Sequence, residues 1–300
     1  MTFKNLDIIK NRKYFLGFSG LLVAASVVLV LVLGLKAGID LQGGTQWQVA
    51  FQKSDVTESG IQSVLKQMNE KTEVAVKKAD NGSFIIRTHT MSNDEHQANL
   101  KTLQAAFGEV EEKNFSSIGP AIGAELKRNA MWAIVAVLLG ISLYVAWAFR
   151  KVSEPVKSWK YGLVTLVTLF HDVMIPTGLL AALGVWRGIE MDTNFIVALL
   201  VVMGFSVHDT IVVFDRIREN LIRERGKKIP LGEIINYSVR ETFARSVNTS
   251  FTLFLVLLAL LIVGPASLFY FILTILVGTV FGTYSSIFVA SPLLYLWQKK

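Results

Sequence analysis

The sequence predicts a polytopic α-helical membrane protein with six transmembrane helices and one α+β domain outside the membrane. Three observations carry this prediction. The chain of 300 residues is 52% hydrophobic and only 18% charged, whereas a typical soluble domain has about 25% charged residues. Six apolar segments are each close to the roughly 20 residues that a helix needs to cross the hydrocarbon core. One long polar stretch, residues 36–128, separates the first apolar segment from the other five.

The six apolar segments differ in their charge content. The first two contain no charged residue, whereas the third is interrupted by His171-Asp172 and the fourth by His208-Asp209. Spans two to six are expected within residues 129–297. The segments are Tyr14–Leu35, Ala130–Phe149, Tyr161–Trp186, Phe195–Phe214, Val247–Val263 and Leu268–Ala290.

The first segment, residues 14–35, is expected to stay in the protein as a membrane anchor. Its apolar run is longer than the ~7–15 residues of a signal-peptide core, and no small-residue cleavage site follows it. A cleaved signal peptide is the alternative interpretation.

Lysine and arginine residues predict how the chain is oriented. They cluster in four regions, which are residues 1–13, 150–160, 215–246 and 298–300. With six spans all four regions fall on one side of the membrane, and the positive-inside rule assigns that side to the cytoplasm. Both termini are therefore expected in the cytoplasm, and residues 36–128 form an extracytoplasmic domain.

The first half of the outer domain predicts a strand followed by a helix. The stretch GTQWQVAF alternates in polarity, as a half-buried strand does. After it, Ile61, Leu65 and Met68 recur at helical spacing, and Thr57 is placed to cap the N-terminus of this helix.

The second half predicts two strands, a helix and a last strand. Asn81-Gly82 indicates a tight hairpin. Ser92 or Asn93 is expected to cap the second helix, and Gly108 to end it, before the strand in EVEEKNFSSIG. The order β-α-β-β-α-β predicts a ferredoxin-like sandwich with both helices on one face of an antiparallel sheet.

Nothing in the composition indicates an enzyme or a metal protein. The absence of cysteine excludes disulfides and thiolate metal sites. His89 and His96 lie in polar surroundings and are expected at the solvated surface. We find no nucleophile–base pair, metal-ligand spacing or phosphate-binding loop, so no cofactor and no metal site are predicted.

The link from the first span into the outer domain is GIDLQGG, residues 38–44. Gly38, Gly43 and Gly44, together with Asp40, form a motif in which the backbone must bend or approach another segment closely. We expect a hinge here, and a plain turn between helix and strand is the alternative.

Two spans carry an aspartate, Asp172 and Asp209, each directly after a histidine. An ionised Asp at the centre of a membrane helix costs ~2.5–3.5 kcal/mol on insertion scales, and such residues usually face the bundle interior and mark an ion or proton path. Thr165, Thr168 and Asp172 fall on one face of the third span, which predicts a polar stripe there.

Asp209 is the stronger candidate for proton transfer. Burial disfavours an ionised carboxylate and a neighbouring cation favours it, so a balance between the two lets an aspartate load and release a proton near neutral pH. Arg245, at the start of the fifth span, is the predicted cation. His171 and His208 titrate near neutrality in water and are candidates for a proton relay. A structural polar contact between helices is the alternative for all five residues.

Gly278 and Gly282 form a GxxxG motif in the sixth span. Glycines at this spacing allow two helix backbones to approach closely, so we predict that they serve helix packing.

Several of these stretches occur together in one known family. GIDLQGG after span one, HDVMIPTG in span three, FSVHDTIVVFDRIREN at the end of span four and RSVNTSFT at the start of span five resemble SecF, of the SecD/SecF family of protein-export membrane proteins within the resistance-nodulation-division superfamily. The resemblance covers the whole chain in order. His208 stands where relatives often carry asparagine.

The resemblance implies a role as a non-enzymatic subunit in protein export across the bacterial inner membrane. Family members work with SecD as a second half, associate with the SecYEG channel, and use the proton gradient to help preproteins across after the ATPase SecA has inserted them. The acid implicated in proton movement falls on Asp209, and the implicated arginine on Arg245. The expected surroundings are SecD, SecYEG, SecA, unfolded preprotein and the lipid bilayer, with no nucleic acid.

Two other functions remain open from the sequence. One is a proton-driven exporter of small or lipid-like molecules from the same superfamily, although the outer domain is small for a substrate cavity. The other is a non-transporting assembly factor, which would leave Asp209 and Arg245 without a role.

Overall fold

A computed structural model describes residues 7–53, 55–68, 73–79, 82–150 and 156–298 of the chain. The chain divides into two compact units. One contains Met1–Lys36 and Trp132–Lys300, and the other contains Ala37–Met131.

The helices include six that are long and apolar enough to span a membrane, as predicted. The helices are α1 (Arg12–Leu33), α2 (Ile39–Gln42), α3 (Glu58–Met68), α4 (Asn93–Phe107), α5 (Pro120–Ala148), α6 (Ser158–Trp186), α7 (Thr193–Arg223), α8 (Leu231–Val263), α9 (Phe269–Ser285) and α10 (Ser291–Gln298). A 3-10 turn, Ala266–Leu268, precedes α9, and a π-helical turn, Ser286–Ala290, joins α9 to α10 into one span.

Helices α6 and α7 form the centre of the membrane unit, since they are the most buried of the six spans. Tyr161 of α6 packs edge-on against Phe214 of α7, with ring centroids 5.1 Å apart, and both side chains are fully buried. These are also the two spans that carry aspartates. A bundle in which the acid-bearing helices are innermost keeps those groups away from hydrocarbon, where they would be costly.

The connection between α7 and α8 is largely helical. The sequence places the basic residues 215–246 between the fourth and fifth apolar segments, but α7 continues to Arg223 and α8 already begins at Leu231. The polar residues in this region bind one another between the helices: Arg216 Nε donates to Glu241 Oε2 over 2.5 Å, and Asn220 Nδ2 donates to the same oxygen over 2.9 Å. Polar composition therefore marked a paired helical extension and not a loop.

The outer unit is the predicted ferredoxin-like sandwich. Its strands are β1 (Gly44–Phe51), β2 (Ala75–Lys78), β3 (Phe84–Thr88) and β4 (Val110–Ile118). They form one antiparallel sheet in the order β2-β3-β1-β4. The alternation in β1 turns Trp47 and Val49 into a core that Ile61 of α3 and Leu103 of α4 complete.

The predicted ends of the outer-domain helices are largely confirmed. The Thr57 hydroxyl accepts a hydrogen bond from the Gly60 N–H at the start of α3. Ser92 caps α4 in a reciprocal capping box with Glu95, and Gly108 ends this helix at φ +88°. At the predicted hairpin Asn81 lies outside the described residues, while Gly82 has φ +79°.

His96 is not the solvated surface residue that its polar sequence context suggested. It is buried, its Nε2 lies 2.6 Å from Glu112 Oε1, and its ring stacks on Phe115 at 3.8 Å. Trp47 Nε1 donates to the same glutamate oxygen over 2.7 Å. Because β4 places Glu112 across from α4, the buried histidine has a carboxylate partner 16 residues away that its local sequence context did not reveal. His89 is exposed, as expected.

The glycine motif at residues 38–44 forms a compact turn within the outer unit. Gly38 precedes the short helix α2, Asp40 lies in its first turn, and Gly43 and Gly44 adopt φ +80° and +121°. A Cβ on Gly43 would lie 2.7 Å from the Pro120 Cα. The glycines therefore allow the segment that enters the outer domain to lie against the segment that leaves it. A hinge at this motif stays a prediction.

Candidate functional site between the membrane helices

Asp172 of α6 is fully buried and hydrogen-bonded to three side chains. His171 Nδ1 lies 2.8 Å from Asp172 Oδ1. The second carboxylate oxygen, Oδ2, accepts hydrogen bonds from Ser206 of α7 and, over 2.8 Å, from Ser285 at the end of α9. Three helices therefore meet at this carboxyl group.

Asp209 of α7 is buried, with 4% of the residue exposed, and it follows Ser206 by one helical turn. The Ser286 hydroxyl donates to Asp209 Oδ2 over 2.8 Å. Ser246 of α8 is buried beside the same carboxyl group, and its hydroxyl has no hydrogen-bond partner within the described part of the chain. The Asp209 side chain of α7 thus faces both α8 and the last span.

The immediate surroundings of both aspartates are hydroxyl groups. Among the described residues neither carboxylate forms an ion pair with a lysine or arginine, and His171 is the one basic side chain in direct contact with either of them. Burial disfavours the ionised form of a carboxyl group, whereas hydroxyl donors favour it. The protonation state of each aspartate is therefore sensitive to small changes in these contacts.

The two glycines of the GxxxG motif bring α9 against α7. A Cβ on Gly278 would lie 2.2 Å from Val202 Cγ2, and one on Gly282 would lie 3.0 Å from Ser206 Cβ. Close approach at Gly282 places Ser206 and Ser285 on the same oxygen of Asp172.

The last span changes its helical geometry at the site. It is α-helical to Ser285, and the π-helical turn begins at Ser286. π-Helical turns are rare in proteins, and those that occur are often found at functional sites. Here the two consecutive serines at the junction contact different aspartates. Ser285 contacts Asp172 of α6, and Ser286 contacts Asp209 of α7.

Two other predicted residues, His208 and Arg245, lie apart from the buried cluster. His208 and Arg245 are exposed on the surface of the chain. The expected pairing of Arg245 with Asp209 does not occur in the described residues, and the next residue, Ser246, is the one that α8 turns towards the carboxyl group. His171 is buried, and its Nε2 has no hydrogen-bond partner in the part of the chain that the structure describes.

Four serines of the site were not identified from the sequence. A serine interrupts an apolar run only weakly, so Ser206, Ser246, Ser285 and Ser286 carried no signal comparable to an acid. The sequence does hold one indication: Ser246 directly follows Arg245 in RSVNTSFT, and the pair Ser285-Ser286 lies within the apolar segment Leu268–Ala290.

Comparison with known proteins places the chain among export proteins. Residues 98–300 match the sequence model of the family described as protein export membrane protein SecD/SecF, C-terminal. Protein translocase subunit SecF of Thermobaculum terrenum is 40% identical over 305 residues, covering 98% of this chain and 95% of that protein. Protein translocase subunit SecDF of Bacillus subtilis is 30% identical over 299 residues, covering 99% of this chain and 38% of that protein.

A solved structure has the same fold over nearly the whole chain. The crystal structure of SecDF, a translocon-associated membrane protein from Thermus thermophilus, superimposes with a TM-score of 0.82 at 32% identity. The match covers 98% of this chain and 39% of the SecDF chain. The chain therefore spans well under half of the fused SecDF proteins, whereas it matches the separate SecF protein almost end to end.

Proposed function

The chain belongs to the SecD/SecF family of protein-export membrane proteins, and we propose that it serves protein translocation as a SecF-type subunit that moves protons through the buried Asp172 and Asp209. The observation that carries the proposal is the pair of aspartates inside the helix bundle, held by hydroxyl groups without a lysine or arginine partner among the described residues.

The energy available from protons suits such a role. One elementary charge that crosses 100 mV is worth about 2.3 kcal/mol. Two conformations that differ by a few kcal/mol can be shifted substantially by that amount. Protonation of Asp209 would remove the charge that accepts the Ser286 hydroxyl, and the helices that meet there would repack. We propose that this repacking changes the orientation of the outer domain against an emerging preprotein.

We propose SecD as the second half of the transport unit. Two features support it. The SecDF relative contains, in one chain, a region that matches this chain and additional sequence beyond it. In addition, α8 exposes Arg245, Asn248, Thr249 and Thr252, and α7 exposes His208. Polar and ionisable side chains on membrane helices usually face protein or water and not lipid, so a neighbouring membrane subunit would cover this face.

The wider assembly and the location follow from the same proposal. The SecYEG channel, the ATPase SecA and unfolded preprotein are the proposed partners, in the bacterial inner membrane with both termini in the cytoplasm. The proton gradient is the proposed energy source, and no cofactor is required. The basic residues of the cytoplasmic regions support this orientation.

Preprotein export into inverted membrane vesicles that contain the chain with its SecD partner tests the proposal. We expect Asp209→Asn to remove the stimulation of export by a proton gradient while ATP-driven insertion continues. Asp215→Asn is the matched control, because Asp215 belongs to the same helix but its side chain is 59% exposed. Undiminished proton-dependent export by the Asp209 variant would refute the proposed role.

A further inference from the structure

We propose that Ser285 and Ser286 are positioning residues that couple the protonation of Asp172 to that of Asp209, so that the two carboxyl groups titrate as one unit. The inference rests on the proposed proton translocation and adds the means by which one aspartate senses the other. The juxtaposition that carries it is a serine pair at the start of a π-helical turn, with one hydroxyl on each aspartate.

Each serine hydroxyl has one proton and two acceptors within reach. Ser285 Oγ lies 2.8 Å from Asp172 Oδ2 and 3.0 Å from the Gly282 carbonyl oxygen. Ser286 Oγ lies 2.8 Å from Asp209 Oδ2 and 2.9 Å from the Thr283 carbonyl oxygen. A hydroxyl can donate to only one of its two acceptors at a time.

Which acceptor the serine hydroxyl uses depends on the protonation state of the aspartate. An ionised carboxylate accepts the serine proton, because hydrogen bonds to charged groups are the stronger ones. A protonated carboxyl group instead donates its own proton to the serine oxygen, and the serine hydroxyl then turns to the carbonyl of its own helix. Each serine therefore has two hydrogen-bonding states that follow the protonation of one aspartate.

The chain links these two states directly. Ser285 and Ser286 share a peptide bond, and the α-helix changes to the π-helical turn between them. A hydroxyl that turns to a helix carbonyl competes with the backbone hydrogen bonds of that turn, where the π-helical geometry is already less regular. A second link runs through α7, because Ser206 donates to Asp172 and lies one helical turn before Asp209.

Few other ionisable groups lie near the pair among the residues that the structure describes. On α6, His171 contacts Asp172, and on α7, His208 precedes Asp209 but is exposed. From α9, the Tyr284 ring centroid lies 6.4 Å from that of His171. From α8, Arg245 is exposed, and Ser246 is the residue turned inward. From α1, the buried residues are Ser19 and Ser26, which carry no charge.

An infrared titration of the carboxyl groups in lipid vesicles tests the coupling on the full chain reconstituted with its SecD partner. Isotope-labelled aspartate isolates the carboxyl bands, and Asp172→Asn identifies the band of that residue by its loss. Asp209→Asn imitates a permanently protonated Asp209, since asparagine is neutral and can donate a hydrogen bond. We expect it to move the midpoint of the Asp172 band by about one pH unit, the size of one hydrogen bond to a charged group.

The serines decide how that shift arises. In a Ser286→Ala background we expect Asp209→Asn to move the Asp172 midpoint by less than half as much, and Ser286→Thr, which keeps the hydroxyl, to restore the full shift. If the alanine variant does not fold, Ser286→Cys keeps the size but supplies only a weak donor. Ser291→Ala is the control, because Ser291 is a buried serine of the same span that does not contact either aspartate.

Two results would overturn the inference. One is an Asp172 midpoint that Asp209→Asn does not move at all. The other is an equal shift with and without Ser286, which would mean that the aspartates interact through space or through Ser206 of α7 and not through the serine pair. Both results are independent of export: a failed export test with coupled titrations would reject only the proposed function, whereas normal proton-dependent export with uncoupled titrations would reject only the serine link.

Discussion

Gly278 of α9 lies directly against Val202 of α7, so that a Cβ at this position would come within 2.2 Å of the valine Cγ2. The contact holds the last span close enough for its serines to reach both aspartates. Overpacking of a tight contact typically costs about 1–3 kcal/mol. We therefore expect Gly278→Ala to lower the stability of the purified chain in detergent, measured as a lower midpoint of thermal unfolding.

Gly140 of α5 provides the matched control for this substitution. A Cβ there would meet no atom within 4 Å, and the span Pro120–Ala148 is similar in length and hydropathy to the span Ala266–Gln298 that holds Gly278. Alanine at an open helical position stabilises by up to about 1 kcal/mol relative to glycine. Equal unfolding midpoints for Gly278→Ala and Gly140→Ala would contradict the tight contact between α7 and α9.

The sequence predicts a feature of this fold well where a residue clearly interrupts an apolar run, and poorly where it does not. Apolar runs define the six spans because a helix of about 20 apolar residues is long enough to cross the hydrocarbon core of a membrane. An aspartate within such a run is conspicuous, so Asp172 and Asp209 were found directly. A serine such as Ser285 or Ser286 disturbs the run little, and the site it forms becomes visible only when three helices are packed together.

Arg245 shows why a helical pattern alone cannot assign partners. Arg245 and Ser246 are neighbours in sequence and differ by about 100° around the helix. The packing of α8 turns Ser246 inward and leaves Arg245 exposed. The rotation of that helix about its axis depends on contacts with residues of α7 and α9 that lie tens of residues away, such as the contact of Ser250 with Thr283, so its inward face could not be chosen beforehand.

The buried Asn220 is expected to stabilise the pairing of the end of α7 with the start of α8. Its Nδ2 donates over 2.9 Å to both Ser238 Oγ and Glu241 Oε2. Loss of a buried partner leaves other polar groups unsatisfied and costs about 1–3 kcal/mol. Asn220→Ala should therefore lower the thermal unfolding midpoint, whereas Asn194→Ala, at an exposed position of the same helix, should not. Equal midpoints for the two variants would show that the hydrogen bonds of Asn220 contribute little to stability.

His96 is expected to be required for the stability of the outer domain. Replacement by alanine would remove its stack on Phe115 and leave Glu112 with the Trp47 indole as its remaining buried donor. We expect His96→Ala to weaken the indole hydrogen bond and to increase hydrogen exchange in the sheet. His89→Ala, at an exposed histidine, serves as the control. Unchanged exchange in the His96 variant would contradict the buried pairing.

The first turn of α4 should lose stability in acid. The Ser92 backbone N–H donates to the Glu95 carboxylate and lowers the pKa of Glu95. A lowered pKa in the folded state means that the stabilisation is present above the ordinary value of 4.5 and is lost as the pH falls through the lowered value. Protection factors of the α4 amides should therefore decline in acid.

Two substitutions separate the halves of this capping box. Glu95→Gln should make α4 protection nearly independent of pH across that range. Ser92→Ala, which removes the acceptor for the Glu95 N–H, should cost about 1 kcal/mol at neutral pH. A Glu95→Gln variant that keeps the full decline in acid would assign the pH dependence to another group.

Proton flux tests most directly whether protons pass through the buried aspartates. Proteoliposomes that hold the full chain with its SecD partner are given a sudden pH gradient, and an internal dye reports proton entry. We predict that Asp209→Asn and Asp172→Asn each reduce the flux to the level of empty liposomes, while Asp215→Asn conducts as the unmodified protein does. Unreduced flux with both buried aspartates replaced would show that protons do not pass through Asp172 and Asp209.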